Sequence, residues 1–175
     1  MAEVERIEET PGLARFQLYR VFYHTADPLT GKTTHPLDKT SIDFGSTPVF
    51  RQNIRLIDRL ENQPDMAVRR GNLVHQGWQL SFRAVKDLMA GTKKEVEPGD
   101  VTPRIQQKGV DMRIGLDIAS LALKQLVSTI VLVTGDSDLV PAMRFARREG
   151  LRVYLDTLGS RSVRQELKLH ADIVL

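Results

Sequence analysis

The feature that most limits what this chain can fold into is the run Ile130-Val131-Leu132-Val133-Thr134-Gly135-Asp136-Ser137-Asp138. Four apolar residues lead into a glycine, then two acids separated by one serine, then a helical pattern. An unbroken apolar run bounded by a turn residue reads as a strand buried on both faces of a sheet. Gly135 lets the backbone turn where that strand stops. Asp136 and Asp138 then stand at its carboxyl end, where open α/β sheets place their ligands. Two carboxylates held close together repel unless a proton or a cation intervenes. A divalent ion that takes oxygen donors is the natural cation. The competing reading is local: Asp136 binds turn amides, and Ser137 or Asp138 caps the next helix.

Around this run, strands and helices alternate. Residues 1–12 are polar and are expected to be a flexible lead-in to a single domain over 13–175. Phe16 to His24 alternates and is rich in aromatic and β-branched residues, which predicts a strand. Thr25 to Thr47 carries Pro28, Gly31, Pro36 and Gly45 and reads as a functional or mobile loop. Pro48 opens a helix in which Phe50, Ile54, Ile57 and Leu60 share a face, and Asn62 and Pro64 end it. Met66 to His75 reads as a strand with Gly71 as a weak point or bulge. Leu80 to Ala90 is a helix closed by Gly91. Thr92 to Pro103 is expected to be a mobile loop, and Arg104 to Lys108 a short strand.

Asp111 to Gln125 is helical, with Ile114, Ile118, Leu121 and Ala122 on one face. Thr129 to Thr134 is the central strand. Leu139 to Glu149 is a helix that tolerates Pro141 in its first turn, with Gly150 capping its end. Leu151 to Asp156 is a strand, Ser162 to His170 a short helix, and Ile173 to Leu175 a last strand. This alternation implies a parallel sheet built from right-handed βαβ units.

Composition narrows the class further. Hydrophobic residues make up 41% and charged residues 27% of the 175, which are globular values. The absence of cysteine removes disulfides and thiolate metal sites and fits a reducing cytoplasm. No apolar run approaches a membrane span, so no membrane partner is expected. The net charge of +3 is a mild basic excess, compatible with nucleic acid. A homo-oligomer is left open.

A third acid, Asp111, follows Lys108-Gly109-Val110 where a short strand meets a helix. In a first helical turn an Asp also satisfies the helix dipole, which is its local reading. Asp117 lies six positions on, about 120° round the helix from Asp111, so the two share no tight face. Gathered at one sheet edge, Asp111, Asp136 and Asp138 would form an anionic pocket for Mg²⁺ or Mn²⁺, able to activate water against a phosphodiester. No nucleophile triad competes. His24, His35, His75 and His170 share no metal-ligand spacing and read as surface or hydrogen-bonded histidines.

The segments Lys108-Gly109-Val110-Asp111, Leu116-Asp117, Val131 to Leu139, Gly150-Leu151-Arg152-Val153 and Leu167 to Val174, in that order and spacing, resemble the NYN branch of the PIN-like ribonucleases, the LabA-like group. The Tyr19 to Tyr23 segment is similar to that family's second strand. The resemblance implies a three-layer α/β/α PIN-like (Rossmann-like) fold with a mostly parallel sheet, and metal-dependent endoribonuclease activity on RNA, with single-stranded RNA the expected partner. It also implies that Asp111, Asp136 and Asp138 carry catalysis and the metal, joined by Asp117 as a metal ligand. Asp172 matches the family's terminal Ala-Asp pair. The family opens on an apolar strand ending in Asp, and nothing before Phe16 fits that strand. Either it has been lost or the sequence belongs to a longer one; Asp27 is the candidate substitute.

Arg144, Arg147 and Arg148 share one helix face at i, i+3 and i+4. With Lys108 they are the candidate RNA contacts; Arg152, Arg161, Arg164, Lys168, Arg69, Arg70, Lys93 and Lys94 could extend the track. Trp78 and Phe82 could stack on bases, or simply belong to the core. Two further readings stay open. One is a non-catalytic module that binds RNA or a protein. The other is a dehalogenase-like phosphatase, since Asp136-Ser137-Asp138-Leu139-Val140 mimics a D-x-D-x-[TV] nucleophile motif.

Overall fold

The computed structural model describes residues 2–160 and 163–175. In chain order the elements are α1 (Ala2–Glu8), β1 (Val21–Asp27), β2 (Lys32–Thr34), β3 (Ser41–Asp43), α2 (Pro48–Glu61), β4 (Met66–Leu80), α3 (Phe82–Met89), β5 (Val101–Lys108), α4 (Val110–Leu123), β6 (Thr129–Val133), α5 (Val140–Arg148), β7 (Arg152–Asp156), α6 (Gln165–Leu169) and β8 (Ile173–Val174). The chain divides into two compact units. The first comprises residues 1–23, 61–68 and 114–175, the second 24–60 and 69–113. The fold is mixed α/β.

The first unit holds a parallel sheet in the order β6-β7-β8. Thr129 lies opposite Arg152 and Val133 opposite Asp156, so β6 and β7 run in register over their whole length. Helices α5 and α6 make the crossovers, as a parallel sheet requires. The middle strand is therefore β7, not β6, and β7 is the one buried on both faces: Val153, Tyr154, Leu155 and Asp156 are all inaccessible. The apolar run in β6 is half-buried, and among the described residues one of its edges has no neighbouring strand. Val153 and Leu155 pack with Ile118 and Ala122 of α4, Val140, Met143 and Ala146 of α5, and Leu167 of α6. Burying a Leu side chain of this kind contributes roughly 1.5–3 kcal/mol.

On the opposite pleat, Tyr154 and Asp156 meet the N-terminal segment. A Cβ on Gly12 would lie 3.2 Å from the Tyr154 hydroxyl, and Arg6 of α1 pairs with Asp156. Residues 2–8 form a helix, with Val4 and Ile7 half-buried in an otherwise polar sequence.

The second unit is built on antiparallel pairing. β4 and β5 run from Asn72 opposite Lys108 to Leu80 opposite Val101. The expected parallel sheet is seen in β6-β7-β8. The register shifts between His75 and Trp78, where Gly77 adopts φ +87°, so the bulge falls there and not at Gly71. Gly71 serves a close approach instead. A Cβ there would sit 2.7 Å from Val110 Cγ2 and 2.8 Å from the Lys108 carbonyl oxygen.

The expected strand over 16–24 is shifted to Val21–Asp27, leaving Phe16, Leu18 and Tyr19 exposed. The segment 25–47 is no open loop: Lys32–Thr34 and Ser41–Asp43 form a small antiparallel hairpin. The charged segment after α3 is tied down as well. Lys93 Nζ reaches Glu97 Oε2 at 2.8 Å and Asp100 Oδ2 at 2.5 Å. The Lys93 hydrogen bond, with a backbone amide from Glu97, holds the Asp100 carboxyl below its ordinary value. Among the described residues, no helix is long and apolar enough to cross a membrane.

Candidate active site

The run that ends β6 does what its composition demands. After Val133 the Thr134 amide donates to the Asp156 carbonyl of the neighbouring strand at 3.1 Å. The Asp136 amide then donates to Thr134 Oγ1 at 3.0 Å. Asp136 caps a short 3-10 turn, Ser137–Leu139, that runs straight into α5. Its Oδ1 accepts from the Asp138 amide at 2.9 Å. The local reading in which Asp136 binds a turn amide is therefore correct, while the capping role expected of Ser137 or Asp138 falls to Asp136. It leaves Asp136 Oδ2 and both oxygens of Asp138 without a hydrogen-bond partner among the described residues, in two exposed side chains.

One cation leans over this loop. Arg164, just before α6, donates from Nη1 to Ser137 Oγ at 3.1 Å. The sequence placed Arg164 only in a general basic track; a contact spanning 27 positions depends on the fold, and no local signal marks it. Asp156 is a second residue that the sequence reading missed. It ends β7 one strand from the end of β6, it is 1% exposed, and its oxygens accept from the Leu158 amide and from Arg6. The acid closing the apolar run Val153 to Leu155 was its readable signal.

The remaining acids divide between the units. Asp117 lies half-buried on α4 in the first unit. Asp111 is exposed in the first turn of α4 and belongs to the second unit. Asp27 pairs with Arg70 at 3.2 Å. Asp172 is structural: Oδ2 accepts from the Val153 amide at 2.8 Å and Oδ1 pairs with Arg147 at 3.0 Å.

Among the described residues, no three His, Asp or Glu side chains stand close enough to hold a metal ion by themselves. Magnesium-like ions, however, keep several waters and use one or two carboxylates together with substrate phosphates. Asp136 and Asp138, hard donors with free oxygens, fit a cation of that kind.

Arg144, Arg147 and Arg148 lie exposed on α5, the last two in its final turn. The acids precede the first turn. The arginines Arg147 and Arg148 therefore stand at the far end of the helix, about 12 Å from its start at 1.5 Å per residue. Arg161 lies outside the described residues. Lys108 ends β5, exposed, in the second unit.

Trp78 packs edge-on against His35 and His75, with ring centroids 4.7 and 5.8 Å away. Phe82 is exposed. His35 is buried and pairs with Asp38. The His75 Nε2 is buried without a hydrogen-bond partner in the described structure, against the expectation that each histidine is satisfied or at the surface.

Comparison with known proteins agrees with this architecture. Residues 48–175 match the NYN domain, a nuclease-like family whose nucleases generally use divalent metals. An uncharacterised protein of Sinorhizobium fredii, y4oD, is 39% identical over 57 residues, which are 33% of this chain and 27% of that protein. No solved structure matches the chain. The match covers well over half of the 175 residues and excludes the dehalogenase-like reading: the chain belongs to the NYN domain family.

Proposed function

We propose that the protein is an endoribonuclease that hydrolyses RNA phosphodiesters with a divalent ion, Mg²⁺ or Mn²⁺, at the carboxyl end of β6. The observation that carries this reading is the pair Asp136 and Asp138. They are exposed, they are fixed by the 3-10 turn, and they keep free carboxylate oxygens where an α/β sheet places its ligands. A bound divalent ion would supply a nucleophilic water at neutral pH and stabilise charge on the phosphate.

The chain's own groups set up the rest. The Asp136 cap bond locks its carboxylate against rotation, so its second oxygen is presented in one orientation. Arg164, held by Ser137, offers a guanidinium for the phosphate charge that the acids would otherwise repel. Asp117, in the same unit, enters as a further ligand on the sequence resemblance alone. Single-stranded RNA is the proposed substrate, and a reducing cytoplasm, suggested by the lack of cysteine, the proposed compartment.

The test is cleavage of a labelled single-stranded RNA with Mn²⁺ or Mg²⁺ and with chelator. Metal-dependent cleavage lost in Asp136→Asn supports the reading, and equal behaviour of the two proteins overturns it.

One observation favours a second reading, a module that binds RNA or a protein without turnover: no three acidic or histidine side chains converge among the described residues. That reading requires RNA binding with no heat of specific metal binding in calorimetry.

A further inference from the structure

We propose a second phosphate-binding site at the arginine end of α5, so that RNA lies along the helix rather than at the acid pair alone. This rests on the reading above only in taking RNA as the ligand. An open basin of about 450 Å³ is lined there by Arg147, Arg148, Gly150, Leu151, Arg152 and Asp172. Three guanidinium groups face one carboxylate, and that carboxylate is spent: Asp172 holds Arg147 with one oxygen and the Val153 amide with the other.

The other two cations have no acid partner among the described residues. Arg148 is steadied with its guanidinium carbon 5.6 Å from the centre of the Phe145 ring. Arg152 opens β7, exposed. Gly150, with φ +90° and nothing within 4 Å of a built Cβ, leaves the basin floor open to a close-approaching backbone. Arg144, one turn back on the same exposed face and with no partner among the described residues, continues the positive surface towards Asp138.

The distance between the two ends sets a length for the ligand. The helix covers about 12 Å at 1.5 Å per residue. Stacked nucleotides advance about 3.4 Å each along a strand, so about four of them bridge the acid pair and the basin. A phosphate that sits in the basin is thus about four nucleotides from the one at Asp136. Short RNAs reach one end only, and longer ones reach both.

Fluorescence anisotropy in chelator, with single-stranded RNAs of 4 and 12 nucleotides, tests this on the whole chain. Arg144→Ala/Arg152→Ala is the variant of choice, because neither side chain makes an ion pair among the described residues. The 12-mer should bind the wild type more tightly than the 4-mer. The variant should lose about tenfold in 12-mer affinity, and its log–log salt slope should fall by about 1.4, at about 0.7 per lost phosphate contact. Its affinity for the 4-mer should fall as well, because in chelator the basin is the cationic site that a short RNA can occupy.

Equal 12-mer affinity and salt slope in variant and wild type would overturn the proposal and leave the arginines as solvated charges at a helix end. The two readings fail separately. Arginine-dependent 12-mer binding without cleavage in Mn²⁺ keeps this site and removes the hydrolase. Cleavage with no arginine dependence does the reverse.

Discussion

The two ends of α5 are built from opposite charges by opposite means. At its start, Asp136, Ser137 and Asp138 are held by a strand end and a 3-10 turn, and a cap bond from the backbone fixes the Asp136 carboxylate. At its finish, Arg147, Arg148 and Arg152 are long side chains on a helix terminus and a strand start, positioned by one ion pair and one ring contact. Chemistry needs atoms placed to fractions of an ångström, whereas tracking a polyanion needs only charge within a screening length of about 8 Å. The rigid end suits the first task and the flexible end the second. Changes at the acid end should therefore alter rate, and changes at the arginine end affinity.

The largest expected effect breaks that comparison if it fails. Asp138→Asn should lower the rate of RNA cleavage about a hundredfold, which is about 2.7 kcal/mol of barrier. Its affinity for RNA in chelator should stay level or rise, because a negative charge has gone. A fall in affinity with no fall in rate would reverse the assignment of the two ends.

Next comes the residue that braces the arginine end. Asp172→Asn leaves the Val153 amide an oxygen to bond but removes the charge opposite Arg147. Denaturant unfolding should show a loss of about 1–2 kcal/mol. RNA affinity should increase modestly, since the basin loses its one carboxylate. Unchanged stability would mean that Asp172 does not hold β7 and α5 together.

Arg164→Ala should act on rate, not on affinity for long RNA, with a drop of about tenfold, or about 1.4 kcal/mol. Arg164→Lys should restore only part of it, because a point charge lacks the guanidinium fork. A purely structural arginine would change the melting temperature and leave the rate at saturating RNA untouched.

The smallest effect lies away from both ends. The hydrogen bond from Lys93 holds Asp100 below its ordinary carboxyl value. A lowered carboxyl stabilises the folded state fully above its unfolded pKa, about 3.9. That contribution disappears as the pH falls through the folded value. Amide exchange in residues 92–100 should accelerate in that acid window, relative to the intrinsic rates, and Asp100→Asn should abolish the pH dependence.

How far the sequence revealed this arrangement depends on the reach of each interaction. The parallel half was legible because β6, α5 and β7 follow one another with short links, and each announces itself by periodicity. The burial of β6 was overestimated, since an apolar run does not say which strand has neighbours on both sides; among the described residues β7 does, and β6 does not. The hairpin of β2 and β3 was missed because three-residue strands carry too little alternation to detect. Phe16, Leu18 and Tyr19 looked like a strand and lie exposed outside β1.

At the site, Asp136 and Asp138 were marked by their place after a strand. Arg164 was not singled out, because its contact with Ser137 is made only by folding. The separation of Arg147 and Arg148 from the acids was legible all along: residues in the last turn of a helix cannot adjoin its first.

The most direct test of the central claim is single-turnover cleavage of a labelled single-stranded RNA by the wild type and by Asp136→Asn, each with Mn²⁺ and with chelator. The account predicts cleavage by the wild type with Mn²⁺ alone and a rate at least about a hundredfold lower in the variant. Cleavage that persists in chelator, or that is the same in both proteins, would contradict it.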